Sequence, residues 1–256
     1  MIFPPLPQDR IGNKLLAALP REEYKLILPY LELTSFSFGE TIYESSERPG
    51  YAYFPITSVA SLTYTMKNGA SAEMGMVGNE GLIGIALFTG GETGPNRAIA
   101  QHAGGAIRMG AIALLEEFKR GGLFQRLLLL YLQALLTQVS QRAVCNGLHS
   151  IEQRLACWLL MTHDRVVSEK LQVTQESISN LLGVRREGIS LTTCSIRNQG
   201  VIDCKRGFIT ILDRAGLEAI ACECYCVIKE EYDRLLKIGI SLSRPSIYTS
   251  YTSLVR

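Results

Sequence analysis

Residues 171–189 read Leu-Gln-Val-Thr-Gln-Glu-Ser-Ile-Ser-Asn-Leu-Leu-Gly-Val-Arg-Arg-Glu-Gly-Ile, and the reading of this stretch decides the fold. Thr174 offers a side-chain oxygen to cap a helix whose first turn carries Glu176 and whose apolar positions are Ile178, Leu181 and Leu182. Gly183 ends that helix, because a residue without Cβ takes positive φ at little cost. A tight turn through Val184 leads to a second helix reaching about Gln199, with Ile189 and Ile196 inward and Gly200 at its end. Two short helices joined this closely form a helix-turn-helix.

The second helix carries Arg185, Arg186, Glu187, Ser190 and Leu191 on its first turns, where a recognition helix meets base edges in the major groove. The planar fork of Arg186 suits the two acceptors of a guanine, and Glu187 can accept from a cytosine amino group. Thr174, Gln175 and Ser177, at the start of the first helix, complete the candidate contact set on that side. Downstream, Val201-Ile202 and the run Phe208 to Leu212 flank Asp203-Cys204-Lys205-Arg206-Gly207, a pattern that predicts a two-stranded wing with Lys205 and Arg206 at its tip for phosphates. Between positions 185 and 206 the basic residues Arg185, Arg186, Arg197, Lys205 and Arg206 outnumber Glu187 and Asp203 by three. A packing unit or protein-interaction winged helix is the competing reading. From Asp213 a last helix follows, with Leu217, Ile220, Ala221, Cys224, Ile228, Tyr232 and Leu235 as its apolar series.

Working back toward the N-terminus, residues 123–144 lack glycine and proline and are rich in leucine, which predicts one long helix. Leu128, Leu132, Leu135 and Val139 recur on one face, and Leu123, Leu127, Leu130 and Ala134 on its neighbour. Two apolar faces call for two packing partners: a β domain and a symmetry mate, or two faces of one monomer. Asn146-Gly147 is the expected break and hinge before a further helix over 151–167. From Thr34 to Met109, short apolar stretches punctuated by Gly39, Pro49-Gly50, Asn68-Gly69, Gly90-Gly91 and Gly104-Gly105 predict a small all-β barrel or jelly roll. Asn68-Gly69 is the candidate type I′ hairpin turn. A helical lead-in occupies 15–31, restarting at Pro20.

Bulk properties constrain the remainder. A chain of 256 residues, 47% apolar, accommodates two domains, and a net charge of +2 decides nothing about partners without a local patch. No secretory signal is expected at Met1–Pro7, and the apolar run 127–132 is far shorter than the roughly 20 residues of a membrane span, so a cytoplasmic location without membrane association is expected. Seven cysteines in a chain too large to need stapling suit a reducing compartment without disulfides. Cys222, Cys224 and Cys226 resemble a metal set, but on one continuous helix Cys224 opposes the other two, so no metal site is expected. His102, His149 and His163 lie in separate segments without a nucleophile or carboxylate motif, and Gly81–Gly94 lacks a P-loop ending. No catalytic residues, cofactor or enzymatic activity are expected.

The run 171–189, with Asn198-Gln-Gly-Val-Ile202, Ile209-Thr-Ile-Leu-Asp213, Tyr53-Phe-Pro-Ile56 and Met76-Val-Gly-Asn-Glu-Gly-Leu-Ile-Gly84, resembles the Crp/Fnr family of cyclic-AMP receptor-like and fumarate-nitrate regulators over roughly residues 12–215. The resemblance implies an α+β architecture of three parts. They are an N-terminal cyclic-nucleotide-binding-like β-roll over 12–120, a dimerisation helix over 121–146 and a winged helix-turn-helix over 147–237, with a flexible tail over 238–256. It implies a homodimeric transcription regulator on a palindromic duplex with half-sites about 34 Å apart. RNA polymerase and an unidentified small-molecule effector are further partners it suggests. Arg186 and Glu187 fall where the family places base-reading side chains, whereas Leu191 replaces a second reading arginine and Arg185 replaces a small hydroxyl residue.

The effector pocket departs further. In cyclic-nucleotide binders of the family, a glutamate in a Gly-Glu-Leu turn holds the ribose, and an arginine followed by a small residue clamps the phosphate. Gly84-Ile85-Ala86 and Arg97-Ala98 stand at those places here, so the clamp is kept and the carboxylate is lost. An unpartnered ribose hydroxyl costs about 1 to 3 kcal/mol, which argues against cyclic AMP bound in the usual way. Arg97 is alternatively a partner for Glu92 in the loop. A cyclic-nucleotide-dependent regulator, and a ligand-binding module without DNA binding, are the two alternative functions. Iron–sulfur sensing is not expected, because the first cysteine is Cys145.

Overall fold

A computed structural model describes residues 11–166 and 168–242. Two short helices, α1 (Lys14–Ala17) and α2 (Arg21–Ile27), lead in. Asn13 caps α1, its Oδ1 accepting from the backbone of Leu15 and Leu16 while its amide donates to the carbonyls of Pro55 and Gly81, so the lead-in is tied to the β domain. Pro20 precedes α2 in an extended conformation, as its fixed φ allows.

The β domain is a roll of two antiparallel sheets. Its strands are β1 (Leu31–Phe36), β2 (Thr41–Tyr43), β3 (Tyr51–Pro55), β4 (Val59–Thr65), β5 (Ser71–Val77), β6 (Arg97–His102) and β7 (Gly104–Gly110), with helix α3 (Ala86–Thr89) between β5 and β6. One sheet has the order β1-β7-β3, the other β2-β6-β4-β5. The β4–β5 connection differs from the expected type I′ turn. Gly69 has φ +84 and donates to the Met66 carbonyl, while Asn68 stays out of the positive-φ region and its Oδ1 accepts from Ala70 N. This is a three-residue loop ending in a left-handed glycine, and Asn68 serves it as a local hydrogen-bond acceptor instead of a second left-handed residue.

Helix α4 (Ala111–Arg120) leads to α5 (Gly122–Leu148), the long helix. The Asn146-Gly147 step does not break it; α5 ends at Leu148, and Ser150 caps α6 (Ile151–His163) with a reciprocal bond to Gln153. Helical hydrogen bonds at its C-terminal end, including His149 N to Cys145 O, carry α5 through the glycine. The buried positions of α5 are Leu123, Phe124, Leu127, Leu128, Tyr131, Ala134 and Leu135, continued by Gln138, Arg142 and Cys145. The outward positions are Leu129, Leu136, Val144 and Leu148, 48%, 63%, 47% and 77% exposed. The expected split between two neighbouring faces is therefore rotated: Leu128 and Leu135 join the β-roll core, and the unpartnered apolar line runs through Leu129 and Leu136. Taken as a whole, α5 has the length and composition of a membrane-crossing helix, although its apolar run 127–132 alone does not, and its inner face is core.

The C-terminal part consists of β8 (Lys170–Gln172), α7 (Gln175–Leu182), α8 (Arg186–Asn198), β9 (Ile202–Lys205), β10 (Phe208–Ile211), α9 (Arg214–Ile220) and α10 (Cys224–Leu242). The wing has three strands in the order β8-β10-β9, one more than expected. β8 pairs Leu171 with Ile209, and three residues are too few for a period to be read from sequence. The expected last helix is two helices: Ala221 is extended, Cys222 lies between α9 and α10, and α10 continues beyond position 237 to Leu242. The rest of the expected tail, and Met1–Pro7, lie outside the described residues.

The chain has two main cores that meet at one sheet. The first joins the roll to α1, α2 and α5 through Leu16, Ile27, Phe54, Leu82, Ile107 and Leu127. The second gathers Leu155, Trp158, Leu171, Ile178, Ile189, Ile196 and Leu217, and it takes in Val59 of β4 and Met76 of β5. Those strands are covered on both sides, which is why β4 starts as a continuous buried run before its exposed end. Ionic groups reinforce the seam: Glu73 of β5 meets Arg142 of α5 at 3.4 Å, and Glu80 meets Arg165, just after α6, at 2.8 Å.

Candidate nucleic-acid interface

Helix α8 is set in place by the elements before it. Thr174 Oγ1 accepts from Ser177 N and Ser177 Oγ accepts from Thr174 N, both at 3.0 Å, a reciprocal cap that fixes the start of α7. Gly183 takes φ +63, ψ +39 and closes α7, leaving three residues before α8 begins. Arg154 of α6 donates through Nη2 to the Leu182 carbonyl and clamps the end of α7 to α6. Ile189, Thr193 and Ile196 are the buried side of α8 and join it to the second core.

The opposite side of α8 faces solvent. Arg185, Arg186, Glu187 and Ser190 are exposed at its first turns, with Leu191 beside them at 74% exposure. Arg185 precedes the helix in an extended conformation and gives it no side-chain cap, since a guanidinium has no acceptor to offer the first amides. Thr174 is exposed and Gln175 and Ser177 are half-buried. The hydroxyls and the backbone amides of Thr174 and Ser177 are engaged with each other in the cap, and Gln175 lies between them at the first position of α7.

The wing turns at Arg206 and Gly207, both with positive φ, +47 and +83, while Lys205 and Phe208 pair across the hairpin. Arg206 is thus at the tip itself. Lys205 lies one position back and its ammonium holds the Asp203 carboxylate at 2.7 Å, which pulls the Asp203 carboxyl below its usual range and raises the Lys205 ammonium. α8 and the wing hairpin present Arg185, Arg186, Lys205 and Arg206 on exposed positions of one folding unit.

The four effector-pocket positions are placed differently. Gly84, φ +105, packs against Tyr51 and Ala52 of β3, and Ile85 precedes α3. Arg97 and Ala98 open β6 in the other sheet, opposite Thr63 and Leu62. Arg97 does not pair with Glu92, whose carboxylate meets Arg48 at 3.3 Å; Arg97 Nε is buried with no hydrogen-bond partner among the described residues. A cavity of about 250 Å³ lies elsewhere, between the roll, α5 and α10, lined by Lys14, Glu80, Leu127, Tyr131, Arg165 and Tyr232.

One grouping escaped sequence reasoning. Because Cys222 precedes α10 instead of lying on one helix with Cys224, the two thiols converge, and Cys145 and His149 from the end of α5 join them; the four ligand atoms lie within 4.8 Å of one another. Cys226 is exposed and outside the group. The signal available was the i, i+4 pair Cys145 and His149, which shares a helix face only if the helix passes through Gly147.

The described residues thus form a β-roll joined by a long helix to a winged helix-turn-helix, the architecture of a DNA-binding regulator. Residues 153–220 match the Crp-like helix-turn-helix domain family. The chain is 25% identical over 202 residues to the nitrogen fixation regulation protein FixK of Bradyrhizobium diazoefficiens, covering 73% of this chain and 80% of that protein. Its fold is similar to that of FixK2 from Bradyrhizobium japonicum, with a TM-score of 0.64 at 17% identity over 75% of this chain and 98% of the other. It is also similar to a CRP-family transcriptional regulator from Thermus thermophilus, with a TM-score of 0.63 at 19% identity over 73% and 96%. The chain is a DNA-binding transcription regulator of the Crp/Fnr type.

Proposed function

We propose that the chain works in the cytoplasm as a non-catalytic homodimer that reads a two-fold symmetric duplex through α8. Arg186 and Glu187 take the base edges, Ser190 and Leu191 border them, Arg185, Lys205 and Arg206 hold phosphates, and the start of α7, where Thr174 and Ser177 cap each other around Gln175, meets the backbone through Gln175. The observation that carries this reading is the exposure of Arg185, Arg186, Glu187 and Ser190 together on the first turns of a helix whose other side is core. The dimer contact is assigned to α5, where exposed Leu129, Leu136 and Ala143, with half-buried Leu132 and Val139 between them, follow a three-four spacing. Burial of each exposed leucine in such a seam contributes about 1.5–3 kcal/mol.

The signal enters at the β-roll. The missing carboxylate at Ile85 sets the effector apart from cyclic AMP held in the usual way, and the orphaned Nε of Arg97 marks the place where an anionic group would be neutralised. RNA polymerase is the further partner of a DNA-bound regulator. Binding to a duplex selected from random sequence tests the central reading. The logarithm of affinity falls linearly with the logarithm of salt concentration if α8 and the wing neutralise phosphates, and an affinity insensitive to salt overturns it.

A further inference from the structure

We propose that Cys145, His149, Cys222 and Cys224 form a structural zinc site that ties the end of the long helix to the junction between α9 and α10. The four side chains offer three sulfurs and one imidazole nitrogen, with their ligand atoms within 4.8 Å of one another. Zinc bonds to sulfur at about 2.3 Å and to nitrogen at about 2.0–2.1 Å, so a tetrahedral site needs neighbouring ligand atoms roughly 3.5–3.8 Å apart. Cys145 Sγ and Cys222 Sγ are 3.5 Å apart, and Cys224 Sγ and His149 Nδ1 are 3.4 Å apart. Two opposite edges of the tetrahedron are already close to those lengths, and small side-chain rotations close the wider ones.

The surroundings fit a metal ligand set. His149 Nε2 faces the Glu223 carboxylate at 3.4 Å, which fixes the tautomer with its proton on Nε2 and leaves the Nδ1 lone pair toward the sulfurs. Gln141 donates through Nε2 to Cys224 Sγ at 3.3 Å, a bond that favours a thiolate. Cys145, Cys222 and Cys224 are buried, and His149 is half-buried, so the four donors close the site from water, as structural zinc requires. Three sulfurs and one nitrogen select zinc over oxygen-seeking magnesium or calcium. An iron–sulfur cluster holds its thiolates further apart than these atoms lie. Binding releases the thiol protons to solvent and leaves the ion with three thiolates and a neutral imidazole.

The site spans 77 positions between Cys145 and Cys222, so the ion closes a long loop and restricts the unfolded chain. It also fixes the last helices of the DNA-reading unit to the helix that carries the outward leucine line.

The full chain, purified from zinc-supplemented culture and dialysed against a weak chelator, is assayed for metal by plasma mass spectrometry and, after exchange, for cobalt absorption. One zinc per chain is expected, with a cobalt form showing thiolate charge transfer and the intense visible bands of a four-coordinate ion. Cys222→Ser loses the metal, Cys226→Ser retains it, and His149→Cys retains it with shifted cobalt bands; circular dichroism establishes that each variant is folded. Stripping the zinc lowers the thermal midpoint of the wild type and leaves that of Cys222→Ser unchanged. Wild-type zinc no higher than in Cys222→Ser, with no thiolate–cobalt bands, overturns the proposal. So does a Cys145–Cys222 disulfide that persists in reductant-free preparations made with excess zinc.

Discussion

The Glu80 carboxylate meets the Arg165 guanidinium at 2.8 Å, with side-chain exposures of only 10% and 8%, and so joins the β-roll to the turn that leads into the DNA-reading unit. Burial opposes the charge on Arg165, yet the carboxylate beside it holds the guanidinium above the usual arginine range. Arg165 also donates to the Met161 carbonyl and stands over the Tyr232 ring, so one side chain links the roll, α6 and α10.

Removing one member of a buried pair strands the other without its counter-charge. Arg165→Met and Glu80→Gln are each expected to cost about 3–5 kcal/mol, while the double variant costs distinctly less than the sum, because no uncompensated charge remains. Urea unfolding of the four proteins measures the coupling, and additive losses would show that the pair does not act as a unit.

Glu73 gives the fold a pH dependence of defined sign. Burial pushes its carboxyl above the usual carboxylate range, against the opposing pull of Arg142 and of the Ser61 hydroxyl that donates to it. The folded chain therefore holds this proton more tightly than the unfolded chain does. The resulting stability is complete below about pH 4.5, the ordinary value, and is lost as pH rises through the elevated one. Glu73→Gln should flatten the dependence of the unfolding midpoint on pH across that window. Parallel curves for the variant and the wild type would remove Glu73 as the cause.

Leu136 is 63% exposed in the middle of the outward apolar line of α5. Leu136→Glu places like charges against each other across a two-fold seam and is expected to shift the chain from dimer to monomer, with a far weaker hold on a two-half-site duplex. Sedimentation velocity reads the first effect directly. A variant that sediments with the wild type would move the dimer contact off this face.

At the wing, Arg206 occupies a left-handed turn position, φ +47, that asparagine also tolerates. Arg206→Asn thus keeps the turn and removes only the charge. Affinity should fall alike for all duplexes, with the salt slope reduced by about one. A change in base preference instead would make Arg206 a reader.

The helix-turn-helix was legible because each of its signals is local: a cap at Thr174, a left-handed glycine at 183, and an apolar side formed by Ile178, Leu182, Ile189 and Ile196. The β-roll was legible from its turn residues. What escaped depended on partners distant in sequence. Strand β8 exists because β10 pairs with it, and Leu128 and Leu135 face inward because the roll occupies that side of α5. The cysteine group was hidden by one residue, since Ala221 leaves the helical conformation and lets Cys222 turn toward Cys145. Glu92, read as an alternative partner for Arg97, instead meets Arg48, which is far away in sequence.

Selection of bound duplexes from a random pool, run in parallel with the wild type and Arg186→Ala, tests the central claim most directly. The wild type should enrich an inverted repeat whose half-sites lie one helical turn apart. Arg186→Ala should lose about 1 to 3 kcal/mol in affinity and relax base choice at one symmetric position in each half-site. Enrichment of no symmetric motif, or of the same motif with unchanged preference at every position by the variant, would contradict the assignment of α8 as the reading helix.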